Sequence, residues 1–120
     1  PLNQNKMFKL IQLEIFSTDI IVSIGQTDDE LYEYLKHRFT KEEFESSYMS
    51  SLDRRSDACF VVKDGFPIIR FFDKNPDDGL IAHECFHAVY SILESKKIPL
   101  CYETEEVYAY LIQYLVNKII

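Results

Sequence analysis

Residues 80 to 93 read LIAHECFHAVYSIL and hold two of the chain's three histidines, His83 and His87, with Glu84 directly after the first. Four residues apart on one helix, the two imidazoles lie one turn above the other on a single face, near enough to grip one metal ion. Glu84 falls about 100° round the helix from His83. That places a carboxylate beside the ion, where it can accept a proton from water without displacing a ligand. These residue types at this spacing suit zinc and hydrolysis, with nitrogen ligands holding the ion and a base next to it. The bland explanation is that polar pairs at this spacing decorate solvated helix faces. The neighbours speak against it: Ile81, Ala82, Cys85, Phe86, Ala88, Val89, Ile92 and Leu93 make the segment apolar almost all round and predict a buried helix. Two histidines and a glutamate buried there would need partners, and one ion would serve all three.

A catalytic zinc usually takes three protein ligands and keeps one position for water. A third histidine six residues beyond His87 would mark the long metzincin pattern. Leu93 stands there, and Tyr90 stands where that pattern has glycine. His37 lies far upstream near the end of a predicted helix, where an imidazolium or a solvent-facing ring is the ordinary explanation. A downstream carboxylate is more economical, and YETEEVYAY offers Glu103, Glu105 and Glu106. Acidic residues in a first helical turn are favourable for dipole reasons alone, which explains three acids and chooses none. If Val107, Tyr110, Leu111 and Tyr114 form that helix's core stripe, Glu106 borders the buried face, four residues before Tyr110. Cys85, inside the motif, points off the histidine face and reads as a small core hydrophobe, neither nucleophile nor ligand.

The elements that must carry these residues are legible in turn. Phe8 to Ile24 forms two β-branched runs, FKLIQLEIF and IIVSIG, broken by STD, a predicted hairpin. Thr27 with Glu30, and Thr40 with Glu43, are capping boxes that open two short helices; Leu31, Tyr34, Leu35 and Phe39 form the first one's stripe. In ACFVVKDGFPIIRFF, Asp64-Gly65 marks a second hairpin, and Pro67 assigns the run 66 to 72 to a sheet edge. NPDD then starts the long helix, with Asn75 as N-cap, Pro76 first in the helix and Asp77 and Asp78 in its positive turn. The helix should reach about Ser95. KIPLCYE is a loop, and TEEVYAYLIQYLVNKI a last helix capped by Thr104.

The chain has 120 residues, enough for one domain over 1 to 120 whose core needs no metal or disulfide, so any metal is a working ion. A net charge of -7 repels phosphate backbones and argues against nucleic acid as a partner. No run approaches the roughly 20 apolar residues of a membrane span, and PLNQNKMFKLIQLEIF has no small-residue cleavage site after its apolar part. Three cysteines without a CxxC pair fit a reducing cytosol. A soluble, cytoplasmic protein is expected.

HECFH, followed by EVYA at Glu106 to Ala109, resembles the zincin metallopeptidases, and among them the glutamate-ligand branch, the gluzincins. It is similar to the small zincin-like domains of phages and mobile elements, found in host cell or virion. The resemblance covers about residues 75 to 117. It implies His83, His87 and Glu106 as zinc ligands, Glu84 as general base, and a minimal α+β fold: a small antiparallel-rich sheet packed on an active-site helix and a C-terminal ligand helix. It also implies an edge strand beside that helix that pairs with an extended substrate, which the Pro67 strand would supply; protection of that edge from aggregation explains the proline equally simply. The expected activity is hydrolysis of a peptide or protein substrate, zinc activating a water whose proton Glu84 takes. Tyr110, Tyr102 and Arg70 are the candidates to stabilise the tetrahedral oxygen. The alternative is a non-catalytic zincin-shaped binding or virion-associated protein that retains the zinc.

Overall fold

The computed structural model describes residues 7–120; residues 1–6 of the expected single domain lie outside the described residues. Strands β1 (Met7–Leu13) and β2 (Thr18–Ile24) form an antiparallel hairpin with Met7 opposite Ile24. Two short helices follow, α1 (Asp28–Leu35) and α2 (Lys41–Glu45), then a second hairpin of β3 (Ala58–Lys63) and β4 (Phe66–Phe71). Helix α3 (Asp78–Ser95) and helix α4 (Glu105–Ile119) complete an α+β fold. The strands lie in the order β1-β2-β4-β3, every neighbour pair antiparallel except β2 with β4. Among the described residues no helix is long and apolar enough to cross a membrane.

Local chemistry accounts for most boundaries. Both capping boxes form: Thr27 accepts from the Glu30 amide and Thr40 from the Glu43 amide, each glutamate reaching back to the cap's own N–H. Asp64 and Gly65 both take positive φ, +52° and +79°, as a two-residue type I′ turn requires. The long helix starts later than expected. Asp77, not Asn75, is the N-cap, its carboxylate accepting from the Leu80 amide. Thr104 occupies the N-cap position of α4 without capping it; its hydroxyl instead bonds the Pro99 carbonyl. Gly25, at φ +67°, lets β2 end against the approach to α3, since a Cβ there would lie 2.6 Å from the Cβ of Lys74.

Side chains alternate across the sheet, giving a core on each face. Ile11, Leu13, Ile20, Val22, Ile24, Ile69 and Phe71 meet α3 and α4 on one side; Ile21 and Ile68 meet Leu31, Leu35, Phe39, Phe44 and Met49 on the other. Tyr34, expected in that second core, is half exposed and stacks on Phe8.

The edge strands are β1 and β3, and the Pro67 strand is interior. The two-residue turn makes Lys63 and Phe66 the closing hydrogen-bonded pair, so the next pair, Val62 with Pro67, lacks cross-strand bonds and Pro67 turns its nitrogen toward β2. Pairing with β2 begins only at Ile68, opposite Ile21, so no ladder bond is asked of the proline. A proline therefore fits at the start of an interior strand.

Arg70 runs into the second core at 1% exposure. Its guanidinium donates to the Asp28 carboxylate at 2.6 Å and to the carbonyls of Met49 and Gln26. Asp28 also accepts from the Ser51 amide and the Ser50 and Ser51 hydroxyls. Burial works to raise the Asp28 carboxyl, but the bonds from Arg70, Ser51 and Ser50 together outweigh it and hold its pKa below the ordinary value.

Candidate active site

Helix α3 is amphipathic, not buried all round as expected. Ile81, Cys85, Ala88, Val89, Ile92 and Leu93 turn inward, while Ala82, His83, Phe86, His87 and Tyr90 are exposed. Burial therefore imposes no need for partners on the histidines. The spacing still brings the rings together: the Nε2 atoms of His83 and His87 are 3.2 Å apart and the ring centroids 4.8 Å.

Glu84 lies on the flank facing β3, at 5% exposure, with a carboxylate oxygen 3.9 Å from His83 Nε2. Burial pushes its pKa up, and the two histidines offset this only in part. A carboxyl raised toward neutrality is a better proton acceptor and donor than a fully solvated one. Between α3 and the start of β3 is a cleft of about 380 Å³ lined by Ser56, Ala58, Asp77, Gly79, Leu80, His83 and Glu84. The outer edge of β3 runs from that cleft, beside a base and an imidazole.

The structure does not gather the expected third ligand with the histidine pair. Among the described residues no three His, Cys, Asp or Glu side chains form a group able to hold a metal ion. Glu106 is exposed in the first turn of α4, as is Glu105, with Glu103 exposed just before it. Glu106 does not border a buried face as expected. The inward residues of α4 are Tyr108, Leu111, Leu115 and Ile119, and Val107, Tyr110 and Tyr114 face outward.

Other candidates are sorted by the same geometry. Arg70 is buried on the opposite face of the sheet from α3, its two terminal nitrogens committed to Asp28 and two carbonyls, so it is no oxyanion donor for this site. Tyr102 and Tyr110 are exposed, at 88% and 66%. Cys85 is buried, and burial with the nearby Glu84 pushes its thiol up to about 12, which suits a core hydrophobe and no nucleophile. His37 is exposed on the turn after α1. A larger depression of about 780 Å³ follows β1 and α4, bordered by Lys9, Leu10, Ile15, Leu111 and Tyr114. Neither histidine of the pair borders it.

Two residues on the site's other flank escape a reading of the sequence that stops at the histidines. Phe86 and Tyr90 lie three and seven residues from His83, the same helical face. Following the helical periodicity of three and seven residues from His83 finds them. Compared with known proteins, the chain matches no family model, no curated protein and no solved structure.

Proposed function

We propose that this chain is a zinc-dependent peptide hydrolase of the zincin kind, with His83 and His87 as metal ligands, Glu106 as the third and Glu84 as general base. The observation that carries the reading is the converging histidine pair. Nitrogens 3.2 Å apart, each about 2.0–2.1 Å from one ion, subtend an angle of about 100° at it, close to tetrahedral. Bound there, zinc supplies a Lewis acid for a water and for the scissile carbonyl.

The rest falls to the chain. Glu84, held in place by burial, takes a proton from the attacking water and returns it to the departing amine. The outer edge of β3 offers backbone groups to an extended peptide, taking the role expected of the Pro67 strand. Recruiting Glu106 requires movement of its side chain or of the first turn of α4, which its own affinity for the ion would drive.

The second reading, a non-catalytic binding module, draws on the same distance. At 3.2 Å one neutral imidazole can donate to the other with no ion between them. The variant Glu84→Gln separates the two. As a hydrolase, the zinc-loaded variant keeps its metal, its fold and its affinity for an extended peptide but loses essentially all cleavage, because an amide cannot accept the proton. If the wild type with zinc bound cleaves no member of a broad peptide library, the hydrolase reading is wrong.

A further inference from the structure

With 100° per residue, the positions on α3 fan out around the histidine pair. Glu84 falls on the β3 side of His83, while Phe86 and Tyr90 fall about 60° and 20° to the other side. Their rings make a continuous surface with the site: Phe86 is 6.2 Å from His87 and 6.0 Å from Tyr90, centroid to centroid. Tyr90 in turn rests 6.4 Å from Tyr108, a buried ring of α4 whose hydroxyl is tied to the Ile98 carbonyl at 2.7 Å. Both rings stay open to solvent, Phe86 at 39% and Tyr90 at 43%.

We infer that Phe86 and Tyr90 form a specificity shelf that selects substrates with a large apolar side chain, aromatic or branched aliphatic, adjacent to the scissile bond. The inference rests on the hydrolase reading and deepens it. A single exposed ring on a protein surface is ordinary. Here two rings in contact, backed by a third that is anchored, flank the imidazoles that would hold the reacting centre. A peptide whose carbonyl is held at the histidines, with its backbone on the β3 side, carries a neighbouring side chain within reach of the opposite flank. There a large apolar group covers both rings and sheds their water, whereas alanine covers almost nothing. Selection by apolar contact of this kind reaches about 10- to 200-fold in kcat/KM.

The test uses the zinc-loaded chain and fluorogenic peptides varied at the two positions flanking the cleaved bond. Expected is a preference of about 10-fold or more for Phe, Tyr or Leu over Ala at one of them. Phe86→Ala should flatten that preference, Phe86→Tyr should keep it, and neither should change zinc affinity measured by chelator competition. As a readout without turnover, zinc-loaded Glu84→Gln should bind the Phe peptide more tightly than the Ala peptide by fluorescence anisotropy, and adding Phe86→Ala should erase the difference. Cleavage with no such preference, or with one that survives both Phe86→Ala and Tyr90→Ala, overturns the shelf and leaves the hydrolase standing. No cleavage by zinc-loaded wild type overturns both.

Discussion

The Nε2 atoms of His83 and His87 face each other at 3.2 Å across one turn of α3, on a surface where both rings are open to solvent. If that pair is two-thirds of a zinc site, protein prepared without chelator should take up about one Zn²⁺ per chain. Holding zinc at 100 times its dissociation constant should then stabilise the fold by about 2.7 kcal/mol, visible as a rise in Tm that His83→Ala abolishes. A wild-type Tm indifferent to zinc would count against the site.

The third ligand can be tested by subtraction. Glu106→Gln should weaken zinc binding by about 10-fold or more, at least ~1.4 kcal/mol, while Glu103→Gln and Glu105→Gln leave it unchanged. Equal affinities across the three variants would show that α4 does not supply the ligand.

Arg70 and Asp28 predict a pH effect remote from the histidines. The Asp28 carboxyl has its pKa below the ordinary value of 3.8 in the folded chain, so its ionised form favours folding. That contribution is complete above the unfolded pKa and disappears as the pH falls through the folded one. Asp28→Asn should remove it and leave the Arg70 guanidinium buried beside a neutral partner, costing about 2–3 kcal/mol at pH 7. Urea titrations should show the gap between wild type and variant closing below about pH 4. A gap that does not depend on pH would mean the ion pair is not its cause.

Gly25→Ala should destabilise by about 2 kcal/mol or more, combining a positive φ with a Cβ pressed against Lys74. The companion substitution is Gly65→Ala, where a Cβ meets nothing within 4 Å; it carries the φ penalty alone and should cost less. Equal losses in chemical denaturation would refute the close approach as the cause.

Signals confined to a few residues are readable in the sequence alone: both threonine–glutamate capping boxes, the Asp64-Gly65 turn and the four-residue histidine spacing. Choices between near-equal neighbours are not. In α4 the expected set Val107, Tyr110, Leu111, Tyr114 and the observed set Tyr108, Leu111, Leu115 both have helical spacing and share only Leu111, and packing against α3, with Tyr108 bonded to the Ile98 carbonyl, decides between them. Pro67 misleads because its cost depends on where β2 starts to pair, one residue later, a relation between segments far apart in the chain. The outward turn of His83 and His87 is hidden when apolar residues are counted without asking which flank of α3 they occupy. The exposed position of Glu106 follows from the same tertiary packing that sets the face of α4.

Arg70 lies on the far side of the sheet from the histidines, yet its grip extends to the cleft. Its guanidinium holds Met49 and, through Asp28, Ser50 and Ser51; it also stacks 4.6 Å from Phe72, whose ring lies 4.7 Å from Arg54. Arg54 bonds Asp57 and the Ser56 carbonyl, and Ser56 forms the rim beside Glu84. The loop from Ser50 to Asp57 is thus clamped by one cation at its root, and its breathing should be slow while that clamp holds. Amide hydrogen exchange across residues 50 to 57 should accelerate when the clamp is loosened, although no atom near the histidines has been altered. The rate at which the mouth of the cleft opens would then be set from the opposite face of the protein.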